Sequence, residues 1–345
     1  AKSTVELMKT LAIKHRVLYL DYNYTLKDLF KGLKSRHIPI LQILGFRNPL
    51  RNVILDEGNE ISVLSLPPSI PCNWINAPWL YEFVQKINAQ FIVKRVKKAI
   101  RNLGLEEPAL INAFNPGIGC HVKEGLDLPT IYYCYDNIDQ ASWASKHGFR
   151  SEKKLIKSSQ AVIYSSDELK RNRAQFNNNS YVVKNGVNTD IFNRPKEDIY
   201  RDFDSQPIKI GYVGSLDHRL DYDLLRATIA QQKDWEFHFI GRVNSPKAEQ
   251  LKSMSNVVFH GAKETSKLPE LMLDFRAGII PFVKDEFTKN IYPLKANEYL
   301  AMGLPVVMTD FAQLDDLSNV VACVNHSQFA STLEFEVCTD NPRKK

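Results

Sequence analysis

The sequence predicts an α/β protein built from two doubly wound domains that face a cleft. Short, almost continuously apolar runs alternate with helical patterns along the chain, which is typical of parallel strands buried on both faces. The alternation stops at a polar, proline-containing segment, Asn193–Pro207, and then restarts. The chain has 345 residues, more than the roughly 250–300 that one hydrophobic core usually holds. Ligands of such sheets bind at the carboxyl ends of the strands, in the crevice between the lobes.

Composition excludes several other classes of protein. No run approaches the roughly 18 consecutive apolar residues of a membrane-spanning helix, and the first residues do not resemble a signal peptide. An aromatic content of 10% and a hydrophobic content of 44%, with only 15 Gly, argue against disorder and collagen. The sequence is therefore that of a folded globular protein.

The five cysteines form no C-x-x-C pair and no regular spacing, so neither a zinc site nor a redox motif is indicated. Apolar neighbours around Cys134 and Cys323 favour buried free thiols in a reducing compartment, and we predict a cytoplasmic protein. A catalytic cysteine has no supporting motif.

The net charge of +6 is unevenly distributed. Residues 1–200 contain 28 Lys+Arg against 19 Asp+Glu, which gives +9, whereas residues 201–345 contain 17 against 20, which gives −3. The two halves therefore differ electrostatically.

The pattern of apolar runs predicts strands and helices in both halves. In the first half the predicted strands are Val17–Tyr22, Ile61–Ser65, Ala109–Asn112, Thr130–Tyr135, Ala161–Ser165 and Tyr181–Val183, and the predicted helices are Thr4–Ile13, Tyr81–Leu103 and Ser151–Lys157. In the second half the predicted strands are Ile208–Val213, Glu236–Ile240, Val257–His260, Gly278–Pro281 and Pro305–Met308, and the predicted helices are Tyr222–Ala230, Leu268–Phe275 and Lys295–Met302.

The segment Asn193–Pro207 is interpreted as the linker, with an N-terminal domain over residues 1–197 and a C-terminal domain over residues 198–345. The ends depart from a doubly wound pattern. The chain begins in a helical stretch, so a first strand is expected to be missing, and the polar last residues suggest that a final helix is missing too.

The loop after the first strand of the second half has the features of a phosphate-binding turn. Within Ile208–Leu225, a strand ends in Gly211-x-x-Gly214 and a polar loop with Arg219 leads to a helix starting near Asp221. Glycine allows a ligand to approach the backbone, helix-start amides favour phosphate, and Arg219 could contact a diphosphate. A plain strand–helix turn with a solvated arginine explains these residues equally well. Neither a P-loop nor a G-x-G-x-x-G fingerprint occurs.

A second segment, Asn290–Val307, places Lys295 and Glu298 three residues apart near the start of a helix that Gly303 ends. A carboxylate there can accept hydrogen bonds from both ribose hydroxyls of a nucleotide, and a lysine suits the phosphates. Charged residues at helix ends are also common without any ligand.

These segments resemble the C-terminal domain of GT-B glycosyltransferases of the family 4-like, nucleotide-sugar-dependent group. The matching pieces are GYVGSLDHRLDYDLL, FHFIGRV (237–243), NVVFHGAKETSKLPELM (256–272), AGIIPF (277–282) and PLKANEYLAMGLPVV. In the first half, AVIYSSDELK (161–170) and YVVKNGVNTDIF (181–192) resemble the end of the family's N-terminal domain. The resemblance implies two Rossmann-like domains, with a UDP- or GDP-linked sugar bound by the second and the acceptor by the first, and no obligatory metal.

The resemblance also assigns roles to individual residues of the second half. Glu298 matches the glutamate that holds the donor ribose, and Lys295 and the backbone around Leu294 match the positions that meet phosphates and sugar. Arg219, beyond Gly214, matches a cation that neutralises the departing diphosphate. Val243 and the turn Gly261–Lys263 correspond to where the nucleobase packs.

One position departs from the family pattern. Many members carry an acidic residue eight positions before the ribose-binding glutamate, where this sequence has Asn290, with Asp285 and Glu286 the nearest carboxylates upstream. The sugar contacts and the retaining stereochemistry implied by two glutamates are therefore in doubt.

Acid–base candidates lie in the first half. Asp136 and Asp139 follow the strand Thr130–Tyr135, so they are placed at a carboxyl end, where a carboxylate could deprotonate an acceptor hydroxyl. Helix capping by Asp136 is an equal alternative. The loop Asn115–Gly119 either touches the acceptor or forms only a turn, and a turn is the more frequent case. In the second half, His218 follows Asp217 in the loop after Gly214, and a single histidine in a loop is more often solvated than catalytic.

The stretch Phe91–Arg101, FIVKRVKKAIR, is a basic amphipathic helix. Such a helix can rest on anionic lipid or simply pack on a core with a solvated basic face, and the second case is more frequent. Because many members of the resembled family glycosylate membrane-proximal acceptors, a peripheral membrane surface is expected. Nucleic-acid binding is not expected, because no recognition motif accompanies this positive charge.

The sequence therefore predicts a metal-independent glycosyltransferase acting on a saccharide or lipid-linked acceptor, with Asp136, Asp139, Arg219 and Lys295 as catalytic candidates. A nucleotide-sugar epimerase and a catalytically silent sugar-nucleotide-binding protein are the alternatives.

Overall fold

The computed structural model describes residues 2–32, 38–55, 58–113, 115–138, 144, 146–194, 207–312, 314–318 and 321–338. The chain divides into two compact units, Ala1–Val183 and Lys184–Lys345. Seven described strands belong to the first unit and six to the second.

The strands are short and are connected mostly through helices. They are β1 Val17–Leu20, β2 Leu50–Ile54, β3 Glu60–Leu64, β4 Leu110–Asn112, β5 Thr130–Cys134, β6 Ala161–Tyr164, β7 Ser180–Val182, β8 Ile208–Val213, β9 Trp235–Ile240, β10 Val257–Gly261, β11 Ala277–Ile280, β12 Val306–Thr309 and β13 Val321–Val324. The α-helices are α1 Lys2–Ala12, α2 Leu26–Gly32, α3 Ile40–Leu44, α4 Pro78–Leu103, α5 Pro116–Leu126, α6 Gly148–Ser158, α7 Asp167–Arg173, α8 Tyr222–Gln231, α9 Pro246–Gln250, α10 Leu268–Met272, α11 Leu294–Ala301 and α12 Phe329–Cys338.

The first unit contains two described sheets. One is a mixed sheet in the order β1-β3-β2, in which β1 pairs parallel and β2 antiparallel with β3. The other is entirely parallel, in the order β4-β5-β6-β7. Helices α5 and α6 follow β4 and β5 along the chain, so both helices begin at the carboxyl edge of the parallel sheet.

Helix α4 is the longest described helix and illustrates how the sequence positions this unit. Pro78 occupies the first turn, where its missing N–H is no loss, and Gly104 ends the helix in the left-handed region at φ 57°. One face buries Ile92, Val96 and Ala99, whose three- and four-residue spacing is that of an amphipathic helix. The opposite face of the helix is exposed and carries basic residues of the predicted stretch, among them Lys97 and Lys98.

The second unit is one parallel sheet of six strands in the order β10-β9-β8-β11-β12-β13. Counted from the first strand of the unit, this is the order 3-2-1-4-5-6 of a dinucleotide-binding doubly wound fold. The order reverses between β8 and β11, which pair through Ala277 with Ile210 and Gly278 with Gly211. The central strands are buried on both faces, as near-continuous apolar runs predict.

The boundary between the units lies between Val183 and Lys184, whereas the sequence placed it after residue 197. Residues 195–206, most of the predicted linker, lie outside the described residues. Residues before them belong to the second unit because Phe192 is buried in its core and Lys184 forms an ion pair of 2.8 Å with Asp316.

Some elements differ from the sequence-based expectations. Strands β2 and β13 and helix α12 were not predicted, and α12 is the last element of the described chain. Cys72, Cys120 and Cys134 are buried free thiols, but Cys323 and Cys338 are exposed, so the expectation of burial is wrong for Cys323. β13 lies at the sheet edge, where alternate side chains face outward. Among the described residues, no helix is long and apolar enough to cross a membrane.

Candidate functional site

The carboxyl ends of β8 and β11 define the switch point of the second unit's sheet. The chain leaves β8 at Val213 and turns at Gly214, and it leaves β11 at Ile280 and reaches Phe282. In open α/β sheets this crevice is where ligands bind. The side chains that converge on it decide which ligand fits.

Two glycines bring the ends of β8 and β9 close together. Gly214 has a φ of +145°, which L side chains rarely adopt, and a Cβ there would lie 3.2 Å from Nζ of Lys295. A Cβ on Gly241 would lie 1.9 Å from the carbonyl oxygen of Gly214. The backbone at the switch point is therefore bare, and open to close approach by a ligand.

Lys295 reaches this turn from the first turn of α11. Its Nζ lies 4.5 Å from the centroid of the Phe282 ring and 4.9 Å from that of Tyr212, and it donates a hydrogen bond of 3.5 Å to the Tyr212 hydroxyl. Helix α11 is held against β8 because the backbone N–H of Val213 donates to the hydroxyl of Tyr299 over 2.8 Å. Among the described residues, Lys295 has no ion-pair partner.

This environment changes the acidity of the lysine. The pKa of Lys295 is lowered from 10.5 to about 7: burial is the largest cause, the nearby Arg219 acts in the same direction, and Glu298 and Asp217 oppose it. A cation placed where its charged form is disfavoured marks a candidate functional site. An anion at the switch point would restore the charged form.

Arg219 lies beside Lys295 in the loop after Gly214. Its Nε donates to Oδ1 of Asp217 over 2.8 Å, and its terminal nitrogen approaches Oδ2 to 2.6 Å. Burial would raise the pKa of Asp217, but the hydrogen bonds from Arg219 lower it below the usual range. The bidentate pair holds the guanidinium 5.5 Å from the centroid of the Phe282 ring, the ring that Lys295 also faces.

Glu298 lies one helical turn after Lys295, so the two share a face of α11. It is buried, with 6% of its surface exposed, unlike a solvated residue at a helix end. Leu294 is the first residue of the helix and is half-buried. Gly214, Arg219, Lys295 and Glu298 therefore lie at one crevice.

The proposed base-packing residues follow the next two strands. Val243 follows β9 and is half-buried, bridging to Leu216 in the loop that precedes Arg219. Lys263 follows β10, on the far side of β9 from the switch point, and is exposed after Gly261. His218 is also exposed, with its ring 5.9 Å from that of Phe287.

Asn290, at the position of the family's usual acidic residue, is buried, with 3% exposure. Its side-chain N–H donates to the carbonyl of Glu286 over 2.7 Å. Neither Asp285 nor Glu286, the nearest carboxylates upstream, is buried in place of the acidic residue that Asn290 replaces. Asp285 accepts hydrogen bonds from the backbone of Phe287 and Thr288 at 2.9 and 2.7 Å, and Glu286 is exposed and paired with Lys289.

In the first unit, Asp136 follows β5 as predicted and is exposed. Its Oδ1 accepts a hydrogen bond of 2.9 Å from the backbone of Asn137, so the side chain orders its own loop. Asp139 lies outside the described residues. The loop Asn115–Gly119 is the start of α5, with Asn115 in the left-handed region at φ 50°.

The loop of Asp136 rests on a buried charged network that the sequence did not reveal. Arg173 donates to Glu152 over 2.9 Å and to Oδ1 of Asn137 over 2.7 Å. Glu152 also accepts from the hydroxyl of Tyr132 over 2.8 Å, and this environment raises the pKa of Tyr132, through burial first and then the charge of Glu152. The network fixes the residue that follows Asp136.

A small cavity opens at the same edge of the first unit, where α5 and α6 begin. Asn73, Tyr81, Asn115, Lys146 and His147 are among its lining residues. The ring of His147 stacks on Tyr81 with centroids 4.1 Å apart, and its Nε2 lies 2.8 Å from the carbonyl of Ile75. Polar groups thus converge where α5 and α6 begin, at the edge of the sheet where β5 also ends.

Within the described part of the chain, no group of three or more His, Cys, Asp or Glu side chains is arranged to hold a metal ion. Tyr212, Phe282 and Asp217 contribute to the site but were not assigned from sequence. The matching segments GYVGSLDHRLDYDLL and AGIIPF contain all three, and an aromatic residue at each of two adjacent strand ends is the signal that could have identified the two rings.

Comparison with known proteins identifies the class of protein to which this fold is similar. Residues 207–334 match the family model of group 1 glycosyl transferases, and solved GT-B enzymes superpose on nearly the whole chain. The chain therefore has the GT-B fold, and the match to the family model lies within its second unit.

Sucrose-phosphate synthase from Thermosynechococcus elongatus has a TM-score of 0.64 at 12% identity and covers 94% of this chain and 90% of its own. HepE of Anabaena, solved with UDP and glucose, has a TM-score of 0.58 at 14% identity and covers 95% of this chain and 91% of its own. A putative teichuronic acid biosynthesis glycosyltransferase, TuaH of Bacillus subtilis (strain 168), is 26% identical over 169 residues, 46% of this chain. That alignment spans 43% of the relative's length.

Proposed function

We propose that this protein is a hexosyltransferase that moves a sugar from a nucleoside-diphosphate donor to a hydroxyl of a saccharide or lipid-linked acceptor. The observation that carries the proposal is Lys295. It is a half-buried lysine without an ion-pair partner among the described residues, and it points at the bare backbone of Gly214 at the switch point. A diphosphate supplies the missing negative charge.

The second unit binds the donor. Glu298 accepts hydrogen bonds from the ribose hydroxyls, and Lys295 and the backbone at Leu294 and Gly214 contact the diphosphate. Val243 and Lys263 flank the base. The fold similarity to HepE, which was solved with UDP, and to trehalose-phosphate synthases described as UDP-forming favours UDP over GDP.

Catalysis consists of stabilising the leaving diphosphate. The acceptor oxygen bonds to the anomeric carbon of the sugar as the bond from that carbon to the diphosphate breaks, and the departing oxygens gain negative charge. Lys295 and Arg219, held in place before the reaction, stabilise that charge. These cations make an obligatory metal unnecessary.

The first unit binds the acceptor. Asp136, at the carboxyl end of β5, accepts the proton that the acceptor hydroxyl loses. Asp139 is the alternative base. The name of the TuaH relative, a teichuronic acid biosynthesis enzyme, supports a cell-envelope polysaccharide or its lipid-linked precursor as acceptor.

The protein acts in the cytoplasm, at the inner face of the membrane. The C-terminal half of α4, residues 91–103, supports this location and is called the rear of α4 below. Its basic residues Lys94, Lys97, Lys98 and Arg101 are exposed together with Phe91, which is 59% exposed. Arg95 is not part of this face, since it donates to the carbonyl of Ile43 over 2.8 Å.

The test is donor turnover with a panel of UDP-, GDP- and dTDP-sugars, each with and without a polysaccharide or lipid-linked acceptor. We expect acceptor-dependent nucleotide release with a UDP-sugar and its near-abolition in Lys295→Ala, whereas Lys284→Ala, which removes an exposed lysine of the same unit, keeps the activity. Conversion of the donor to its epimer would support an epimerase instead. Nucleotide binding without release from any donor would support a silent binding protein.

A further inference from the structure

A shallow groove on the first unit, separate from the small cavity, is lined by one face of α4 and one face of α6. Helix α4 contributes Trp79, Glu82, Phe83 and Lys86. Helix α6 contributes Arg150, Lys153, Lys154 and Lys157. Both sets follow the spacing i, i+3, i+4, i+7, so each forms a continuous stripe along its helix. One wall is therefore partly aromatic and the other is entirely basic.

Most of the positive charge in this groove is not neutralised by the protein. Lys154 lies 3.1 Å from Glu124 and 3.8 Å from Glu82, and Lys153 lies 4.6 Å from the centroid of the Phe176 ring. Among the described residues, the remaining three cations of the groove have no ion-pair partner; they are Lys86, Arg150 and Lys157. The groove thus presents an excess of positive charge to an anionic ligand.

The aromatic side chains of the other wall are unusually exposed. Trp79 is 72% exposed and Phe83 is 57% exposed, although burying such rings is strongly favourable. Exposed apolar side chains that adjoin one another usually mark a binding surface. A flat aromatic ring packs well against the C–H face of a sugar, while cations a few ångströms away pair with acidic substituents.

The groove begins at the functional edge of the first unit. Helix α6 follows β5, whose carboxyl end carries Asp136, and α4 follows β3. Trp79 and Arg150 lie in the first turns of α4 and α6, and the stripes then run along the helices away from that edge for about 10 Å. A chain whose end reaches Asp136 would continue into the groove.

We propose that this groove binds the preceding residues of an anionic glycan acceptor, one that bears carboxylates such as those of uronic acids. The inference rests on the proposed transferase function and names the class of its acceptor. The aromatic wall stacks on sugar rings, and Lys86, Arg150 and Lys157 pair with the acidic groups. The membrane-facing surface proposed above is a different one, the rear of α4.

The test compares two double variants that each remove two exposed charges from the first unit. Arg150→Ala/Lys157→Ala alters the groove, and Lys97→Ala/Lys98→Ala alters the rear of α4. Calorimetry with an oligogalacturonate should show about a tenfold loss of affinity in the groove variant and no change in the rear variant. Trp79→Ala should also weaken binding, and a neutral malto-oligosaccharide of equal length should not bind detectably.

Vesicles containing anionic phospholipid provide the complementary probe. We expect the rear variant to lose vesicle binding and the groove variant to retain it. Equal losses of oligogalacturonate affinity in both variants would overturn the proposal, because the binding would then depend on bulk charge. Loss of vesicle binding alone in the groove variant would assign the groove to the membrane and would also overturn it.

UDP binding, measured on the same preparations, separates this proposal from the function on which it rests. UDP affinity should remain unchanged because all the substituted side chains lie in the first unit, and thermal unfolding should remain unchanged because all of them are exposed. A preparation that binds UDP and releases it from a donor, but whose groove variant binds oligogalacturonate normally, refutes the groove assignment and leaves the transferase function standing.

Discussion

The two units use positive charge in different ways. Residues 1–183 contain 25 Lys+Arg and 16 Asp+Glu, a balance of +9, and residues 184–345 contain 20 and 23, a balance of −3. Yet the cation best placed for a diphosphate lies in the negative unit, where Lys295 is held between two aromatic rings. In the positive unit, cations such as Lys97 and Lys98 cover an exposed helix face, whereas Arg173 is locked into the interior.

The difference shows that the position of single cations and the net charge of a unit indicate different kinds of binding partner. A small anion requires a few cations fixed at a strand end, and the net charge around them can be negative. A polymer or a membrane surface is recognised by many exposed cations. The following predictions test this distinction, from the largest expected effect to the smallest.

Arg173→Met should have the largest effect, and it should affect stability. The substitution leaves Glu152, which is fully buried, without its ion-pair partner, and removing one member of a buried pair costs about 3–5 kcal/mol. Urea unfolding monitored on the intact chain should show this loss in the first unit's transition. UDP affinity should be retained.

The matched control is Arg171→Met, because Arg171 lies on the same helix and is 62% exposed in its side chain, and its ion-pair partner within the described part of the chain is the surface residue Glu168. Its effect on the free energy of unfolding should stay within about 0.5 kcal/mol. A similar small effect for Arg173→Met would show that the network does not support the fold of the first unit.

Lys295→Ala should weaken UDP binding by about 2–3 kcal/mol, since a charge-assisted contact to the diphosphate is lost. The fold should not be destabilised by loss of its charge, because burial already disfavours the charged form of this lysine. Calorimetry with UDP measures the first effect and thermal unfolding the second. Lys284→Ala, at a side chain 66% exposed, should bind UDP normally, and a parallel loss in both variants would argue for unspecific attraction.

Glu298→Ala should weaken UDP binding by about 1–3 kcal/mol if the carboxylate holds the ribose. The specific readout is the comparison of UDP with 2′-deoxy-UDP. The wild-type protein should prefer UDP, and the variant should bind both nucleotides equally because the partner of the 2′-hydroxyl is gone. An unchanged preference in the variant would rule out this ribose contact.

The affinity for UDP should fall as the pH rises above 7. The pKa of Lys295 in the free protein is about 7, so the lysine loses its proton above this pH, whereas a bound diphosphate favours the protonated form. Binding therefore takes up a proton, and affinity should drop about fivefold between pH 7 and pH 8.

Calorimetry in buffers of different ionisation enthalpy measures this proton uptake directly. The Lys295→Ala variant should show neither the uptake nor the pH dependence over this range. The same pH dependence in both proteins would assign it to another group.

Sequence patterns predicted the second unit more fully than the first. In the second unit, β8 was predicted with its observed bounds, because apolar runs bounded by glycine mark buried parallel strands. β2 escaped prediction because it is an antiparallel edge strand with four exposed residues of five, so its pattern is not that of a buried strand. The unit boundary was misplaced because packing of Phe192, not local composition, decides it.

The candidate site was predictable where residues are close in sequence. Lys295 and Glu298 share a helix face, and Arg219 follows Gly214, so their spacing made them candidates. The resemblance of both segments to the GT-B family gave these candidates their roles. The roles of Tyr212 and Phe282 depend on strand order, since β8 and β11 are neighbours only in the folded sheet. The partnership of Arg173 with Glu152 and Asn137 likewise joins residues 21 and 36 positions apart, which no local pattern reveals.

A crystal structure of the intact chain with bound UDP tests the central claim most directly. The account predicts the diphosphate at the turn of Gly214, with Nζ of Lys295 within hydrogen-bonding distance of its oxygens and the ribose hydroxyls on the carboxylate of Glu298. A nucleotide bound elsewhere, with Lys295 still enclosed by Tyr212 and Phe282 and contacting no phosphate, would contradict it.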